Sequence, residues 1–151
     1  MIFFFDTSAL IKRYLHEKGS ARVRRLLQTA DAIFYQTFVA PLEMTSAFYR
    51  QQRGGQISME ELSFLLRTYG VHSHKEYLLV PYSESLINLA GALISRHPLR
   101  ALDAIQLASV LELRGALPAD APPLTFVSAD DRLVETARQA HLQVENPEIF
   151  S

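Results

Sequence analysis

Four acidic residues stand at positions where a carboxylate could take part in chemistry. Each one follows an apolar run or lies close to the start of a helical segment. They are Asp6, Glu43, Asp103 and Asp130. Gathered in one cleft they would repel one another, at a cost on the order of 4 kcal/mol for each pair ~4 Å apart. A divalent cation would neutralise such a cluster, and an all-oxygen ligand set favours Mg²⁺ or Mn²⁺. The chemistry would then be metal-assisted hydrolysis of a phosphodiester.

The first and the last of these acids follow apolar runs that are typical of buried strands. Asp6 comes directly after residues 2–5, and Asp130 comes shortly after residues 124–127. Ligands of an open parallel sheet bind at the carboxyl ends of its strands, so both acids are candidates for a binding cleft. Either one could instead cap the helix that follows it. Asp131 stands beside Asp130, and spacing alone leaves open which of the two faces the cleft.

The other two acids belong to helical segments. Asp103 is the only charged residue within 101–111, and an unpaired carboxylate inside an apolar helix needs a cation, a metal or a solvated cleft. Arg100, one turn earlier, is the alternative partner. Glu43 lies in the first turn of its segment, where the helix dipole alone commonly stabilises an acid.

The elements that would position these acids alternate along the chain. Five runs predict strands: 2–5, 32–35, 77–80, 124–127 and 142–144. Helices are predicted over 9–16, 41–54, 58–72, 85–96, 99–114 and 130–140. Ser58 and Glu61 have the spacing of a capping box. This alternation predicts a three-layer α/β/α sandwich around a central, mainly parallel sheet of about five strands.

Composition excludes several classes of protein. Apolar residues make up 48% and charged residues 21% of the 151 residues, which is unlike a disordered or fibrous chain. No apolar run reaches the ~18 residues of a membrane helix, and the absence of cysteine excludes thiolate metal sites. A net charge of −1 argues against a large nonspecific DNA-binding surface but allows a local basic groove. We expect a single domain over residues 1–151, located in the cytoplasm and without membrane contact.

Four segments around the acids form a pattern that extends over nearly the whole chain. They are 5–11 (FDTSALI), 42–43 (LE), 99–108 (LRALDAIQLA) and 126–133 (FVSADDRL). In this order and spacing they resemble the PIN-domain ribonucleases, in particular the VapC toxins of prokaryotic toxin–antitoxin pairs. The resemblance implies a PIN-like fold and a metal-dependent endoribonuclease that acts as the toxin of a type II toxin–antitoxin system.

The resemblance also assigns roles to individual residues. It implies that Asp6, Glu43, Asp103 and Asp130 are the catalytic residues and bind Mg²⁺, with Mn²⁺ as a substitute. It implies that Thr7, Ser8 and Ser128 lie next to these ligands, where they would hold the ligands or the surrounding water molecules in place. The family often has threonine where Ser128 stands, which keeps the hydroxyl. Some members carry one more acid near Asp103, so the number of metal ions, one or two, stays open.

Partners follow from the same reasoning. The basic residues Lys12, Arg13, Arg50 and Arg100 are candidates to hold RNA phosphates. The resemblance implies a cognate antitoxin protein and a homodimer. The alternative function is a catalytically silent PIN domain that binds RNA or a protein, although the presence of all four acids favours the enzyme.

Overall fold

The computed structural model describes residues 1–150. Its strands are β1 (Ile2–Phe5), β2 (Ile33–Thr37), β3 (Tyr77–Val80), β4 (Leu124–Val127) and β5 (Gln143–Glu145). Its α-helices are α1 (Thr7–Leu10), α2 (Ser20–Leu26), α3 (Ala40–Arg53), α4 (Met59–Lys75), α5 (Glu84–Arg96), α6 (Ala101–Ala116) and α7 (Asp131–Gln139). Two 3₁₀ helices follow α1 and β5, at Ile11–Arg13 and Pro147–Phe150.

The five strands form one parallel sheet in the order β3-β2-β1-β4-β5. The chain moves outward from β1 through β2 to β3, and then returns to place β4 on the other side of β1. The strand order therefore reverses between β1 and β4. In sheets of this type, the carboxyl ends of the strands at such a reversal border a crevice where ligands bind.

Side chains of β1 alternate between the two faces of the sheet and fill two separate cores. Phe3 and Phe5 pack in the core formed with α1, α2, α3 and α4. Phe4 packs in the core formed with α5, α6 and α7. Helices thus cover both faces, and the predicted three-layer α/β/α sandwich with a parallel five-stranded sheet is confirmed. In the described part of the chain, no helix is long and apolar enough to cross a membrane.

The local predictions hold to different degrees. The Ser58 hydroxyl accepts from the backbone N–H of Glu61, whose side chain accepts from the backbone of Ser58, so the capping box is confirmed. The helix predicted over 9–16 is wrong in its bounds: α1 begins directly after Asp6 and changes to a 3₁₀ helix at Ile11. Strands β2 and β5 lie one or two residues later than predicted. The sequence pattern does not predict α2, which at seven residues is too short for a clear helical period.

Charged side chains join the end of the chain to the segment after β1. Lys12 Nζ lies 2.9 Å from Glu17 Oε1 and 2.7 Å from Glu148 Oε1. Arg22 binds both carboxylate oxygens of Glu145, at 2.6 and 3.0 Å. We call these five residues the C-terminal charge cluster. It fixes β5 and the last 3₁₀ helix against α2 and the turn before it.

Candidate active site

Asp6 lies at the carboxyl end of β1, where the strand order reverses. The residue is only 5% exposed, and its Oδ2 accepts hydrogen bonds from the hydroxyls of Ser8 and Ser128, the latter at 2.9 Å. Asp6 occupies the N-cap position of α1, but its side chain makes no capping hydrogen bond. Two hydroxyls therefore orient this carboxylate, and the alternative of a simple helix cap does not apply to it.

Asp130, and not Asp131, is the acid whose charge acts on Asp103. Burial raises the pKa of Asp103, and the charge of Asp130 raises it further. Asp130 also caps α7, because its Oδ1 accepts from two backbone N–H groups of the first turn at 2.9 and 3.1 Å. Asp131 instead accepts a hydrogen bond from Asn146 at 2.7 Å. The capping alternative is thus realised at Asp130, but it uses only one of its two oxygens.

Glu43 is held in place from two other elements. Its Oε1 accepts a hydrogen bond from Nε2 of Gln106 on α6 at 2.8 Å and another from the hydroxyl of Thr7 on α1 at 3.2 Å. Gln106 Nε2 also lies 3.1 Å from the Thr7 hydroxyl oxygen, so the three side chains form a closed set of contacts. A first-turn acid stabilised by the helix dipole alone would not need these donors.

Asp103 lies in the first turn of α6 and is half-buried. Burial and the Asp130 charge raise its pKa, although the positive charges of Arg100 and Arg132 oppose that rise. Among residues 1–150, no ion pair within 4.0 Å joins Asp103 to a basic side chain. The Arg100–Asp103 salt bridge considered from the sequence is therefore not formed.

Electrostatic repulsion connects the acids across the crevice. Burial is the main cause that raises the pKa values of Asp6 and Glu43, and the charge of Asp103 raises both further. Hydrogen bonds from the neighbouring hydroxyls and from Gln106 oppose this effect. We call the four carboxylates the acid edge: Asp6, Glu43, Asp103 and Asp130. Their negative charge is concentrated at one place and is not neutralised by a salt bridge in the described residues.

The acid edge is open. Within residues 1–150, no three carboxylate or imidazole groups are close enough together to enclose a metal ion. The protein's own hydrogen bonds leave one oxygen of two acids unused in the described chain. These oxygens are Oε2 of Glu43 and Oδ2 of Asp130. Each of these acids is thus oriented through one oxygen and has the other available to a ligand.

The family model of the PIN domain matches residues 3–139, which is most of the chain. The chain belongs to the PIN domain family. No match was found among curated proteins.

Solved structures show the same fold as this PIN domain. A chain of VapBC2 from Rickettsia felis, bound to a DNA fragment from its promoter, matches with a TM-score of 0.64 at 12% identity, over 97% of this chain and 98% of that one. A chain of VapBC-1 from nontypeable Haemophilus influenzae gives 0.61 at 16%, over 97% and 98%. A chain of a toxin–antitoxin complex from Klebsiella pneumoniae gives 0.60 at 16%, over 95% and 96%. The expected PIN domain family and PIN-like fold are thereby confirmed.

Two of the four basic residues predicted to contact RNA are engaged elsewhere in the PIN domain. Lys12 is 4% exposed and pairs with two carboxylates of the C-terminal charge cluster. Arg13 binds Glu76 and the hydroxyl of Tyr77, which begins β3 and so lies at the amino end of the sheet, opposite the acid edge. Lys12 and Arg13 already have protein partners, so an RNA phosphate would have to compete with these partners, and the phosphate contacts of both residues stay predictions.

The other two basic residues lie beside the acids. Arg100 is exposed at the start of α6, and its charge acts on Asp103. Arg50 is exposed and donates to the hydroxyl of Ser46 at 3.2 Å. It borders a cavity of about 280 Å³ that Glu43 also lines. Arg50 and Arg100 thus lie near Glu43 and Asp103, and their contact with RNA stays a prediction.

Two residues near the site carried no role in the sequence analysis. Gln106 contacts both Glu43 and Thr7, and Arg132 acts electrostatically on Asp103. Gln106 lies three residues after Asp103 on the same helix, so a polar residue on the acid-bearing face was the available signal. Arg132 lies in the first turn of α7, two residues after Asp130, and a basic residue at that position in a helix gave no such signal.

Proposed function

We propose that this PIN domain is a VapC-type toxin: a metal-dependent endoribonuclease that hydrolyses RNA phosphodiester bonds at the acid edge. The observation that carries the proposal is the acid edge itself. Four carboxylates from four different elements border the crevice where the strand order reverses, and burial and mutual repulsion raise the pKa values of three of them. A fold retains such repulsion when a cation or a ligand offsets it.

The donors of the acid edge fit Mg²⁺, with Mn²⁺ as a substitute. All four are carboxylates, and hard divalent cations prefer oxygen ligands. Mg²⁺ is usually held by one or two carboxylates and keeps several waters, so its binding does not require three carboxylates within direct coordination distance. The residues that would hold the ion, directly or through water, are Asp6, Glu43, Asp103 and Asp130. When bound, such an ion lowers the pKa of a water and stabilises the leaving oxygen.

Neighbouring side chains keep the acids oriented for this task. Ser8 and Ser128 hold one oxygen of Asp6, while Thr7 and Gln106 hold one oxygen of Glu43. Partners of this kind fix the direction of a ligand group without competing for its remaining oxygen. The hydroxyls named from the sequence as supporting groups therefore have contacts that suit this role.

The RNA backbone would approach through Arg50 and Arg100, which are exposed and lie near Glu43 and Asp103. Phosphate contacts position a nucleic acid and carry no sequence information by themselves. The proposal thus accounts for the binding of an RNA strand at the acid edge and leaves the choice of cleavage sequence to other contacts.

A protein partner belongs to the proposal. The matched chain from Klebsiella pneumoniae is part of a toxin–antitoxin complex, and we propose a cognate antitoxin for this chain as well. A homodimer and a cytoplasmic location stay predictions. Light scattering tests the dimer, and a strict monomer at micromolar concentration would contradict it.

The test is cleavage of a pool of single-stranded and structured RNAs by the purified chain in EDTA, Mg²⁺ or Mn²⁺. We expect cutting only with a divalent ion, and none with the Asp6→Asn variant. Asp120→Asn is the matched control, because Asp120 is exposed in the loop before β4 and lies outside the acid edge. Its activity should equal that of the wild type.

Two results would contradict the enzyme. Cutting that persists in EDTA or in Asp6→Asn would indicate a contaminating nuclease. RNA binding without any metal-dependent cutting would favour the silent PIN domain that binds RNA or a protein.

A further inference from the structure

Gln106 is buried at the centre of the contacts behind Glu43. The residue is 1% exposed, on the face of α6 that packs towards the sheet. Its Nε2 donates to Oε1 of Glu43 at 2.8 Å and to the hydroxyl oxygen of Thr7 at 3.1 Å. The opposite orientation of the amide would bring its oxygen against the carboxylate oxygen, so the contact with Glu43 determines which end of the amide faces the site.

The other end of the same amide has no partner. Oε1 of Gln106 is the buried side-chain oxygen that lacks a hydrogen bond within residues 1–150. Leaving a buried acceptor unsatisfied opposes folding, because the oxygen has lost its water. Gln36 shows the contrast: it is fully buried too, but its amide donates to Ser73 and accepts from Tyr69. Gln36 is thus a satisfied core amide, whereas Gln106 is satisfied only on the side of Glu43.

We propose that Gln106 is a positioning residue that holds Oε1 of Glu43, so that Oε2 faces the acid edge. The inference rests on the proposed function, since it assigns Gln106 a role in preparing that same site. Thr7 alone would be a weaker restraint, because its hydroxyl lies 3.2 Å from Glu43 and must share its contacts with Gln106. An unsatisfied buried amide is retained because its donor end serves the site, and not because the amide stabilises the fold.

The test compares Gln106→Met with Ser109→Ala in Mn²⁺ binding to the isolated chain, measured by titration calorimetry. Methionine has a similar size but donates no hydrogen bond. Ser109 is buried on the same helix, and its hydroxyl bonds Thr37 and the Ile105 carbonyl, away from the acids. We expect Mn²⁺ affinity to fall about 10–100-fold in Gln106→Met, the range for groups that orient a metal ligand. Affinity should be unchanged in Ser109→Ala.

Thermal unfolding without metal separates positioning from stability. We expect the Tm of Gln106→Met to be similar to that of Ser109→Ala, because the methionine variant loses the hydrogen bonds to Glu43 and Thr7 but also removes an unsatisfied acceptor, whereas the alanine variant loses the hydrogen bonds of a buried hydroxyl. Unchanged Mn²⁺ affinity in Gln106→Met would overturn the proposal. An equal loss of affinity in both variants would also overturn it, because it would indicate a structural effect of α6.

A second measurement tests the contact without metal or RNA. The side-chain amide protons of Gln106 give NMR signals that are expected to shift in Glu43→Gln and to stay in place in Asp120→Asn. If the wild type binds no Mn²⁺ and cuts no RNA, the proposed function fails, and this NMR comparison alone decides whether Gln106 holds Glu43. Signals that do not respond to Glu43→Gln would overturn the positioning role.

Discussion

The acid edge and the C-terminal charge cluster treat charge in opposite ways. In the cluster, Lys12 lies within hydrogen-bond distance of two carboxylates, and Arg22 binds both oxygens of Glu145. At the acid edge, carboxylates face other carboxylates and hydroxyls. The cluster joins distant parts of the chain, so its charges serve the fold. The acid edge works against the fold, which is the pattern expected where binding or catalysis is carried out.

The largest expected effect follows from removing one charge from the acid edge. Asp103→Asn should reduce RNA cleavage in Mg²⁺ by about 100-fold or more, since a group that holds the ion is lost. The same change should leave the free energy of unfolding without metal unchanged or higher, because it relieves repulsion with Asp6 and Asp130. Cleavage assays and urea unfolding in EDTA measure the two quantities on the same preparation.

A large loss of stability without metal in Asp103→Asn would contradict this view of the acid edge. It would mean that Asp103 is a structural partner of Arg100. Asp120→Asn, an exposed change of the same chemistry, should alter neither the cleavage rate nor the unfolding curve.

The opposite sign is expected in the C-terminal charge cluster. Lys12→Met should lower the free energy of unfolding by about 2 kcal/mol, because two carboxylates lose their buried partner. The cost stays below that of a fully buried pair, since the side chains of Glu17 and Glu148 are 40% and 33% exposed and can be rehydrated. Cleavage by the folded variant should equal that of the wild type. A lost cleavage activity with unchanged stability would instead place Lys12 at the RNA.

Lys12 also shows where sequence reasoning reached its limit. In the sequence, Lys12 is a basic residue shortly after the candidate site residue Asp6, and this position suggested a contact with an RNA phosphate. The partner that competes with this role, Glu148, lies 136 residues away in the sequence and is brought near only by the fold. Gln106 is a similar case, because its partners Thr7 and Glu43 are 99 and 63 residues distant.

The sheet was predictable for a physical reason that these contacts lack. Strands such as β1 and β4 are buried on both faces, and burial requires an uninterrupted apolar run that is visible in the sequence. The acids at their carboxyl ends were predictable because they interrupt such runs. Contacts between polar side chains on different elements leave no comparable local pattern.

The pH dependence of stability should distinguish the two ways of handling charge. Burial raises the pKa values of Asp6, Glu43 and Asp103, so these groups hold more protons in the folded than in the unfolded chain. Their contribution to stability is present at low pH and is lost as the pH rises from about 4 through the raised pKa values. In EDTA, unfolding curves should show this decline, and Asp103→Asn should make it shallower.

For Glu76, the pH dependence of stability should have the opposite sign. Its hydrogen bond with Arg13 lowers its pKa, so its contribution is present above its ordinary pKa and is lost as the pH falls through the lowered value. Glu76→Gln should therefore reduce stability at neutral pH and leave it little changed in acid. An equal loss at both pH values would show that the contact with Arg13 does not depend on charge.

The smallest effect is expected where a single exposed charge borders the acid edge. Arg50→Ala should weaken binding of a single-stranded RNA by no more than about fivefold, because exposed ion pairs contribute little. The salt dependence is the sharper readout: losing one phosphate contact should reduce the slope of log affinity against log salt by about 0.7. Fluorescence anisotropy in EDTA measures both the affinity and its salt dependence without cleavage.

Arg53 is the matched control, because it lies one turn later on α3 and stacks on Tyr49 instead of bordering the Glu43 cavity. A reduced slope in Arg53→Ala as well would show that RNA senses the charge of the whole helix, whereas a reduced slope in Arg50→Ala alone would place a phosphate beside Glu43.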